Sequence, residues 1–197
     1  MKSLPAPYDD ENAYWRLPQQ FNFAADIVDY WAQDVERVAL VTVDEDLQSR
    51  TWTFAEIARR SAQLANLLER QGLKQGDRII VMLPRIAEWQ IAMTACLRMG
   101  AVPIPCITML TPKDLSYRVQ HSDALGVITL ASESAKFEDI ESVRVRISVG
   151  KRPEGWIDIA QSLEETETHV AAHVGIEEPA ILYYTSGSTG DPKGVTH

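Results

Sequence analysis

The stretch ILYYTSGSTGDPKGVTH, residues 181–197, decides how this chain is interpreted. It begins as an apolar segment of β type and continues as a loop of hydroxyl residues and glycines, with one lysine, Lys193, near its end. Glycine tolerates positive φ and lets a ligand approach the backbone closely. Successive backbone N–H groups in such a loop form a concave anion site, and hydroxyls with one mobile ammonium group suit a polyphosphate. The stretch therefore predicts a strand followed by a phosphate-binding loop.

Two other structures would also explain a glycine-rich stretch. A flexible linker rarely follows an apolar strand directly and rarely has a lysine at a fixed position. A hairpin turn needs a second strand, and none is recognisable in the sequence up to residue 197. The loop also differs from the Walker A pattern, because Pro192 precedes Lys193 and Gly194 follows it, and it lacks the G-x-G-x-x-G dinucleotide pattern. We therefore expect a phosphate loop of another kind.

Upstream, the pattern of apolar residues predicts alternating strands and helices. Segments 38–43 and 50–53 predict a hairpin, and Thr53 with Glu56 has the capping-box spacing that begins a helix. From residue 78 the apolar segments are continuous, as in strands that are covered on both faces. These segments predict a layered, doubly wound, largely parallel α/β sheet, with strands at 79–83, 102–106, 126–130 and 143–149 and helices at 86–99 and from 111 to about 120.

Residues 185–194 resemble the phosphate loop of the adenylate-forming, AMP-binding superfamily, which includes acyl-CoA synthetases, peptide-synthetase adenylation domains and luciferases. The segments LPRIAEW at 83–89 and LTPKDLSYR at 110–118 resemble the medium-chain acyl-CoA synthetase branch. The resemblance implies that the β- and γ-phosphates of ATP are held by Thr185, Ser186, Gly187, Ser188, Thr189, Gly190 and Lys193. Asp191 occupies the variable position of the pattern.

The resemblance also implies a reaction. Members activate a small-molecule carboxylate with ATP and Mg²⁺ to an acyl-adenylate, release pyrophosphate, and transfer the acyl group to coenzyme A. The family's downstream Tyr-Gly-x-Thr-Glu element, its ribose-binding aspartate and the domain with the catalytic lysine do not lie within residues 1–197. We therefore expect an incomplete N-terminal part of this fold, without catalytic residues of its own and inactive alone. An aryl- or amino-acid-activating ligase and a non-catalytic nucleotide-binding remnant are the alternatives.

We expect this part to have four sections. They are a surface arm and helix at 1–35, a hairpin plus helix at 36–72, an α/β subdomain at 73–178, and the strand with its phosphate loop at 179–197. The first hairpin is expected to lie outside the parallel sheet.

Composition excludes several classes of partner. The net charge of −9 argues against nucleic acid as the main partner, and no segment is long and apolar enough for stable membrane insertion. The acidic N-terminal region argues against a targeting presequence, so a cytoplasmic location is expected. Composition leaves the oligomeric state open.

Two pairs of possible metal ligands are interpreted as structural. Cys96 and Cys106 lie in apolar surroundings and are expected to be buried free thiols. His169 and His173 have i, i+4 spacing, but without the glutamate of an H-E-x-x-H motif they are expected on a solvated face. The sequence therefore predicts no metal site.

Overall fold

The computed structural model describes residues 18–185 and 190–197. Its helices are a π-helical turn at Ala24–Val28, α1 (Asp29–Trp31), α2 (Phe54–Arg70), α3 (Ala87–Arg98), α4 (Pro112–Ser122), and 3₁₀ helices at Ala131–Phe137 and Ile159–Glu164. Its strands are β1 (Val38–Val43), β2 (Ser49–Thr53), β3 (Arg78–Met82), β4 (Val102–Pro105), β5 (Gly126–Leu130), β6 (Val145–Val149), β7 (Ile157–Asp158), β8 (Leu182–Thr185) and β9 (Lys193–Thr196).

A five-stranded sheet with the order β4-β3-β5-β6-β7 forms the centre of the structure. Each neighbouring pair in it is parallel. The chain passes from β3 through α3 to β4, and then through α4 to β5 on the other side of β3. The predicted α/β class and the parallel sheet that begins at residue 78 are confirmed, while the later strands β8 and β9 lie outside this sheet.

Strand β3 shows why its apolar run is continuous. Successive side chains of a strand point to opposite faces of the sheet. Ile79 and Val81 belong to one core, which includes apolar residues of α2 and α3, whereas Ile80 and Met82 belong to a second core with α4 and Phe137. Both faces of the sheet are therefore covered, as in parallel sheets generally.

The first hairpin lies outside this sheet, as expected. Strands β1 and β2 pair with each other in a separate two-stranded antiparallel sheet. The predicted capping box begins α2, because the Thr53 hydroxyl accepts a hydrogen bond from the Glu56 amide and the Glu56 carboxylate accepts one from the Thr53 amide. Such a reciprocal pair satisfies two amides at a helix start.

Polar contacts join the first helical segment to α3. The Asn22 amide group donates to the carbonyl oxygens of Leu97, Arg98 and Ala172 at 3.0–3.1 Å. The guanidinium of Arg98, whose side chain is 3% exposed, contacts both carboxylate oxygens of Asp29 at 2.6 and 2.9 Å. Paired geometry of this kind satisfies a charge that would otherwise be costly to bury.

The segment between β6 and β8 contains one correction. His169 does not lie on a solvated face: its side chain is 5% exposed and its Nε2 lies 3.2 Å from Oε1 of Glu69 on α2. Neighbouring contacts hold this segment against α2, since the Asn66 side chain donates to Thr166 and Thr168. Polar anchoring rather than helical periodicity therefore determines where His169 lies, whereas His173 is exposed as expected.

Candidate functional site

Residues 181–197 form a hairpin, which contradicts the expectation that no second strand follows the loop. Strand β9 pairs antiparallel with β8, and the pairing joins Leu182 to Thr196 and Thr185 to Lys193. Hydrogen bonds between Ile181 and His197 extend the pair beyond its strands, at 2.9 and 3.1 Å. The candidate loop therefore connects two paired strands, and its two ends are held next to each other.

The structure places three of the seven predicted site residues. Thr185 ends β8, Lys193 begins β9, and Gly190 lies in the loop between them. All three are exposed, as is Asp191. Ser186, Gly187, Ser188 and Thr189 lie outside the described residues.

The pairing of Thr185 with Lys193 determines which face of the hairpin carries both side chains. Residues directly opposite each other in an antiparallel pair have side chains on the same face. The hydroxyl of Thr185 and the ammonium group of Lys193 therefore extend from one face at the start and end of the loop. The next pair, Tyr184 with Gly194, lies on the opposite face because side chains alternate along a strand.

This opposite face contacts α4. The Tyr117 hydroxyl donates a hydrogen bond to the carbonyl oxygen of Pro192 at 3.0 Å. Nδ1 of His121 lies 2.7 Å from the Tyr184 hydroxyl. The two rings of α4 are stacked at 5.6 Å, and the Tyr184 ring meets each of them edge to face. Helix α4 therefore contacts the hairpin at Tyr184 on β8 and at Pro192, the residue before β9, on either side of the candidate loop.

Burial affects two ionisable groups beside this contact. It raises the pKa of the Tyr184 phenol above its ordinary value, so this hydroxyl stays protonated at neutral pH. It also raises the pKa of the Cys106 thiol to about 12, against the opposing positive charge of Arg118. Both groups are therefore neutral at pH 7, and Tyr184 of the hairpin packs against the core that contains Cys106.

Gly194 acts differently from what the sequence suggests. Its φ is not positive, although conformational freedom was the expected reason for this glycine. An added Cβ at Gly194 would lie 3.1 Å from Cδ1 of Leu182 and 3.4 Å from Cε1 of His121. At Gly190 it would meet nothing within 4 Å. Gly194 therefore permits close packing on α4, while Gly190 leaves open space at the loop.

Tyr117 lies within the segment 110–118 that resembles the acyl-CoA synthetases, but the resemblance gives neither Tyr117 nor His121 a role in the site. A signal was present, because residues four apart on a helix lie on the same face. Thr111 and Asp114 form a capping box at the start of α4, so the register of that helix follows from the sequence. What the sequence does not contain is the contact partner of this face.

The other candidate ligands form no metal site among the described residues. No three His, Cys, Asp or Glu side chains of residues 18–185 and 190–197 are grouped so that they could hold a metal ion. Cys96 and Cys106 are free and buried, as predicted. In the same part of the chain, no helix is long and apolar enough to cross a membrane.

Comparison with known proteins identifies the family. Residues 28–197 match the sequence profile of the AMP-binding enzymes. The chain belongs to the AMP-binding enzyme family. The match includes the hairpin with the candidate loop as well as the five-stranded sheet.

Relatives of this AMP-binding chain include several acyl-coenzyme A synthetases. The human mitochondrial acyl-coenzyme A synthetase ACSM5 is 36% identical over 195 residues, which cover 92% of this chain and 34% of that protein. The mouse mitochondrial enzyme ACSM3 is 35% identical over 196 residues, which cover 92% of this chain and 33% of that protein. The chain therefore spans about a third of the length of the curated relatives it matches.

Solved structures show the same relationship. The acyl-CoA synthetase of Brucella canis superposes with a TM-score of 0.83 at 25% identity, over 90% of this chain and 33% of that one. An anthranilate CoA ligase in complex with anthranoyl-AMP superposes with a TM-score of 0.81 at 26% identity, over 92% of this chain and 35% of that one. The fold is thus that of a part of these adenylate-forming enzymes.

Proposed function

We propose that this chain supplies the ATP phosphate-binding part of an AMP-forming acyl-CoA synthetase. The observation that carries the proposal is the cross-strand pairing of Thr185 with Lys193. It supports a site in which a hydroxyl and an ammonium group face one ligand from the two ends of a hydroxyl- and glycine-rich loop. Lysine suits such a site because its compact charge binds phosphate from a flexible stem.

The described residues are compatible with a triphosphate. Thr185, Gly190 and Lys193 are exposed, and nothing lies within 4 Å of a Cβ added at Gly190, so a phosphate has room beside the backbone. Ser186, Gly187, Ser188 and Thr189 complete the proposed set of phosphate ligands. Mg²⁺ and coenzyme A are proposed as further requirements, bound mainly by parts of a longer protein beyond these residues.

The chemistry explains why such a site is useful. The oxygen of a carboxylate is a poor leaving group, whereas AMP is a good one, so forming an acyl-adenylate prepares the acyl group for transfer to a thiol. Positioning and charge neutralisation account for most of the catalysis in a transfer of this kind. In the proposed reaction Lys193 neutralises charge on the β- and γ-phosphates as pyrophosphate leaves.

The substrate class is proposed as an aliphatic carboxylic acid, in keeping with fatty acid metabolism. The resemblance of residues 83–89 and 110–118 to the medium-chain acyl-CoA synthetase branch supports this class, and the curated relatives named above are acyl-coenzyme A synthetases. An aryl acid is the second candidate, because one structural neighbour is an anthranilate CoA ligase. Carboxylate-dependent pyrophosphate release with a panel of aliphatic and aryl acids distinguishes the two classes.

Substitution of Lys193 tests the proposed role in a longer protein that contains this chain. Loss of one charge-assisted phosphate contact is worth about 1.5–3 kcal/mol, so Lys193→Ala should slow acyl-adenylate formation by about one to two decades. Transfer of the acyl group from a supplied acyl-adenylate to coenzyme A should change far less. Lys151→Ala, at an exposed lysine in the turn after β6, is the matched control.

Equal losses in both half-reactions would contradict the proposal and assign Lys193 to folding. The 197-residue chain alone is proposed to be inactive, since adenine, ribose and coenzyme A contacts are assigned to a longer protein. Labelled pyrophosphate exchange into ATP by this chain, at even about a percent of the longer protein's rate, would refute that statement. A binding-only nucleotide module would instead bind ATP without exchange in either form.

Two further statements are kept as proposals. The first is the division into sections at residues 1–35, 36–72, 73–178 and 179–197, which limited proteolysis can test. The second is a cytoplasmic location, supported by the buried free thiols Cys96 and Cys106, which fit a reducing compartment. The curated relatives are named as mitochondrial, so the mitochondrion is the other candidate. Imaging of the tagged full-length protein distinguishes these locations.

A further inference from the structure

Helix α4 contacts the hairpin at both ends of the candidate loop, although it contributes none of the proposed phosphate ligands. The contact on β8 is through Tyr184, the residue immediately before Thr185. The other contact is with Pro192, the loop residue immediately before Lys193 and β9. Tyr117 and His121 of α4 therefore contact the residues that immediately precede Lys193 and Thr185, the two proposed phosphate-binding residues at the ends of the loop.

Thr185 and Lys193 are exposed and extend from the face of the hairpin opposite to the face that contacts α4. Tyr184 and Gly194 are cross-strand partners on the face towards α4, while Thr185 and Lys193 are partners on the other face. The exposure of the side chains agrees with this arrangement. The residues that contact α4, Tyr184 and Pro192, are half-buried, whereas Thr185 and Lys193 are exposed. A contact on α4 therefore orients the loop without competing for its ligand.

The Tyr117 contact acts on the backbone carbonyl group of Pro192. Proline has no N–H and its φ is fixed near −65°. The carbonyl of Pro192 is therefore the polar backbone group by which this residue can be held, and it accepts the Tyr117 hydroxyl at 3.0 Å. The next residue, Lys193, is held by pairing with Thr185. The peptide unit before Lys193 is thus fixed from both sides.

We propose that Tyr117 is a positioning residue for the phosphate loop. By holding the Pro192 carbonyl it fixes the backbone of Lys193, and thereby the region that the Lys193 ammonium group can reach. This inference rests on the proposed function for its kinetic consequence, but its structural part does not. The contact between His121 and Tyr184 holds the other end of the loop, on β8. Phosphoryl and adenylyl transfers depend on positioning, so a displaced ammonium group should lower the rate of adenylation more than the binding of ATP.

Amide hydrogen exchange of the 197-residue chain tests the structural part without any ligand. Tyr117→Phe removes the hydroxyl and keeps the ring that stacks on His121. Peptides that cover residues 190–197 should then exchange about two- to tenfold faster, the range expected for one hydrogen bond, while β3 and β5 stay unchanged.

Tyr30→Phe, which removes a hydroxyl from α1, is the control and should leave residues 190–197 unchanged. Unchanged exchange at 190–197 in Tyr117→Phe, or faster exchange throughout the chain, would overturn the proposal.

A double-mutant cycle in the longer protein tests the kinetic part. Tyr117→Phe should lower kcat for carboxylate-dependent pyrophosphate exchange about three- to tenfold, with a smaller change in KM for ATP and unchanged acyl transfer to coenzyme A. When Lys193 is already alanine, Tyr117→Phe should have almost no further effect, because its action passes through Lys193. Independent, multiplicative losses would refute the positioning role. If the unsubstituted longer protein shows no exchange, the proposed function fails, and the amide exchange result still decides whether Tyr117 holds the loop.

Discussion

The five-stranded sheet and the β8–β9 hairpin use strands in opposite ways. Four of the five residues of β3 are buried, and its side chains enter two cores. In contrast, β8 alternates between half-buried and exposed residues, and β9 is exposed along its length. Burial of apolar area is the main source of stability, so the sheet stabilises the fold while the hairpin presents a loop.

The difference also concerns how each region is held. The sheet is held by many van der Waals contacts between apolar side chains, each of which is weak and non-directional. The hairpin is attached through Leu182 and Tyr184 and by the hydrogen bonds of Tyr117 and His121. Substitutions in the sheet should therefore change global stability, whereas substitutions under the hairpin should change local geometry.

The largest expected effect is in the central strand. Ile128 on β5 is fully buried, and Ile128→Ala should lower the free energy of unfolding by about 2–5 kcal/mol because it leaves a cavity. The comparison is Val195→Ala on β9, where the side chain is 40% exposed and the loss should stay within about 0.5 kcal/mol. Urea unfolding of both variants measures the difference. Equal losses would mean that the hairpin belongs to the same cooperative core as the sheet.

The two regions also differ in how far sequence predicts them. Continuous apolar segments predicted the central sheet and its helices, and the capping-box spacing of Thr53 with Glu56 predicted the start of α2. These signals are local, because each depends on residues within one turn or one strand. The parallel arrangement follows from the alternation of strands and helices, since a crossover joins strands in the same direction.

The hairpin depends on contacts that are not local. Strand β9 contains a lysine, a glycine, one valine and one threonine, so no apolar alternation indicates a strand. Its partner is reached across a long loop, where no short turn signal such as Asn-Gly predicts pairing. The packing of Gly194 on His121, and the burial of His169 on α2, are tertiary contacts that a single sequence does not encode at either position.

An intermediate effect on the free energy of unfolding is expected at alkaline pH, and its source is a buried thiol in the core beside the sheet. Burial raises the pKa of Cys96 from 9.0 to about 12. The folded state keeps this proton between these values while the unfolded state loses it, so the stabilisation is full below pH 9 and is lost as pH rises towards 12. The free energy of unfolding should fall by up to about 1.4 kcal/mol per pH unit for each such thiol.

Chemical unfolding at several pH values above 9 measures this slope. Cys96→Ala removes one titrating thiol, so its slope should be shallower although its stability at neutral pH is lower. Hairpin amides at 193–196 should follow the same pH dependence only where they exchange through global unfolding. An unchanged slope in Cys96→Ala would show that this thiol is not protected from ionisation in the folded state.

The smallest effect is expected at the contact between the hairpin and α4. A Cβ at Gly194 would lie 3.1 Å from Leu182 and 3.4 Å from His121, so these side chains must move by a few tenths of an ångström to accept alanine. Overpacking of this kind costs about 1–3 kcal/mol in a closed core, and the exposure of β9 should keep the loss near the lower limit. Because φ is not positive at Gly194, steric contact rather than backbone strain is the cause.

Gly190→Ala is the matched control for stability, since a Cβ at Gly190 meets no atom of the described residues within 4 Å. Amide exchange of residues 193–196 should accelerate in Gly194→Ala and not in Gly190→Ala; equal acceleration in both would mean that loop flexibility, and not packing on His121, determines the position of the hairpin.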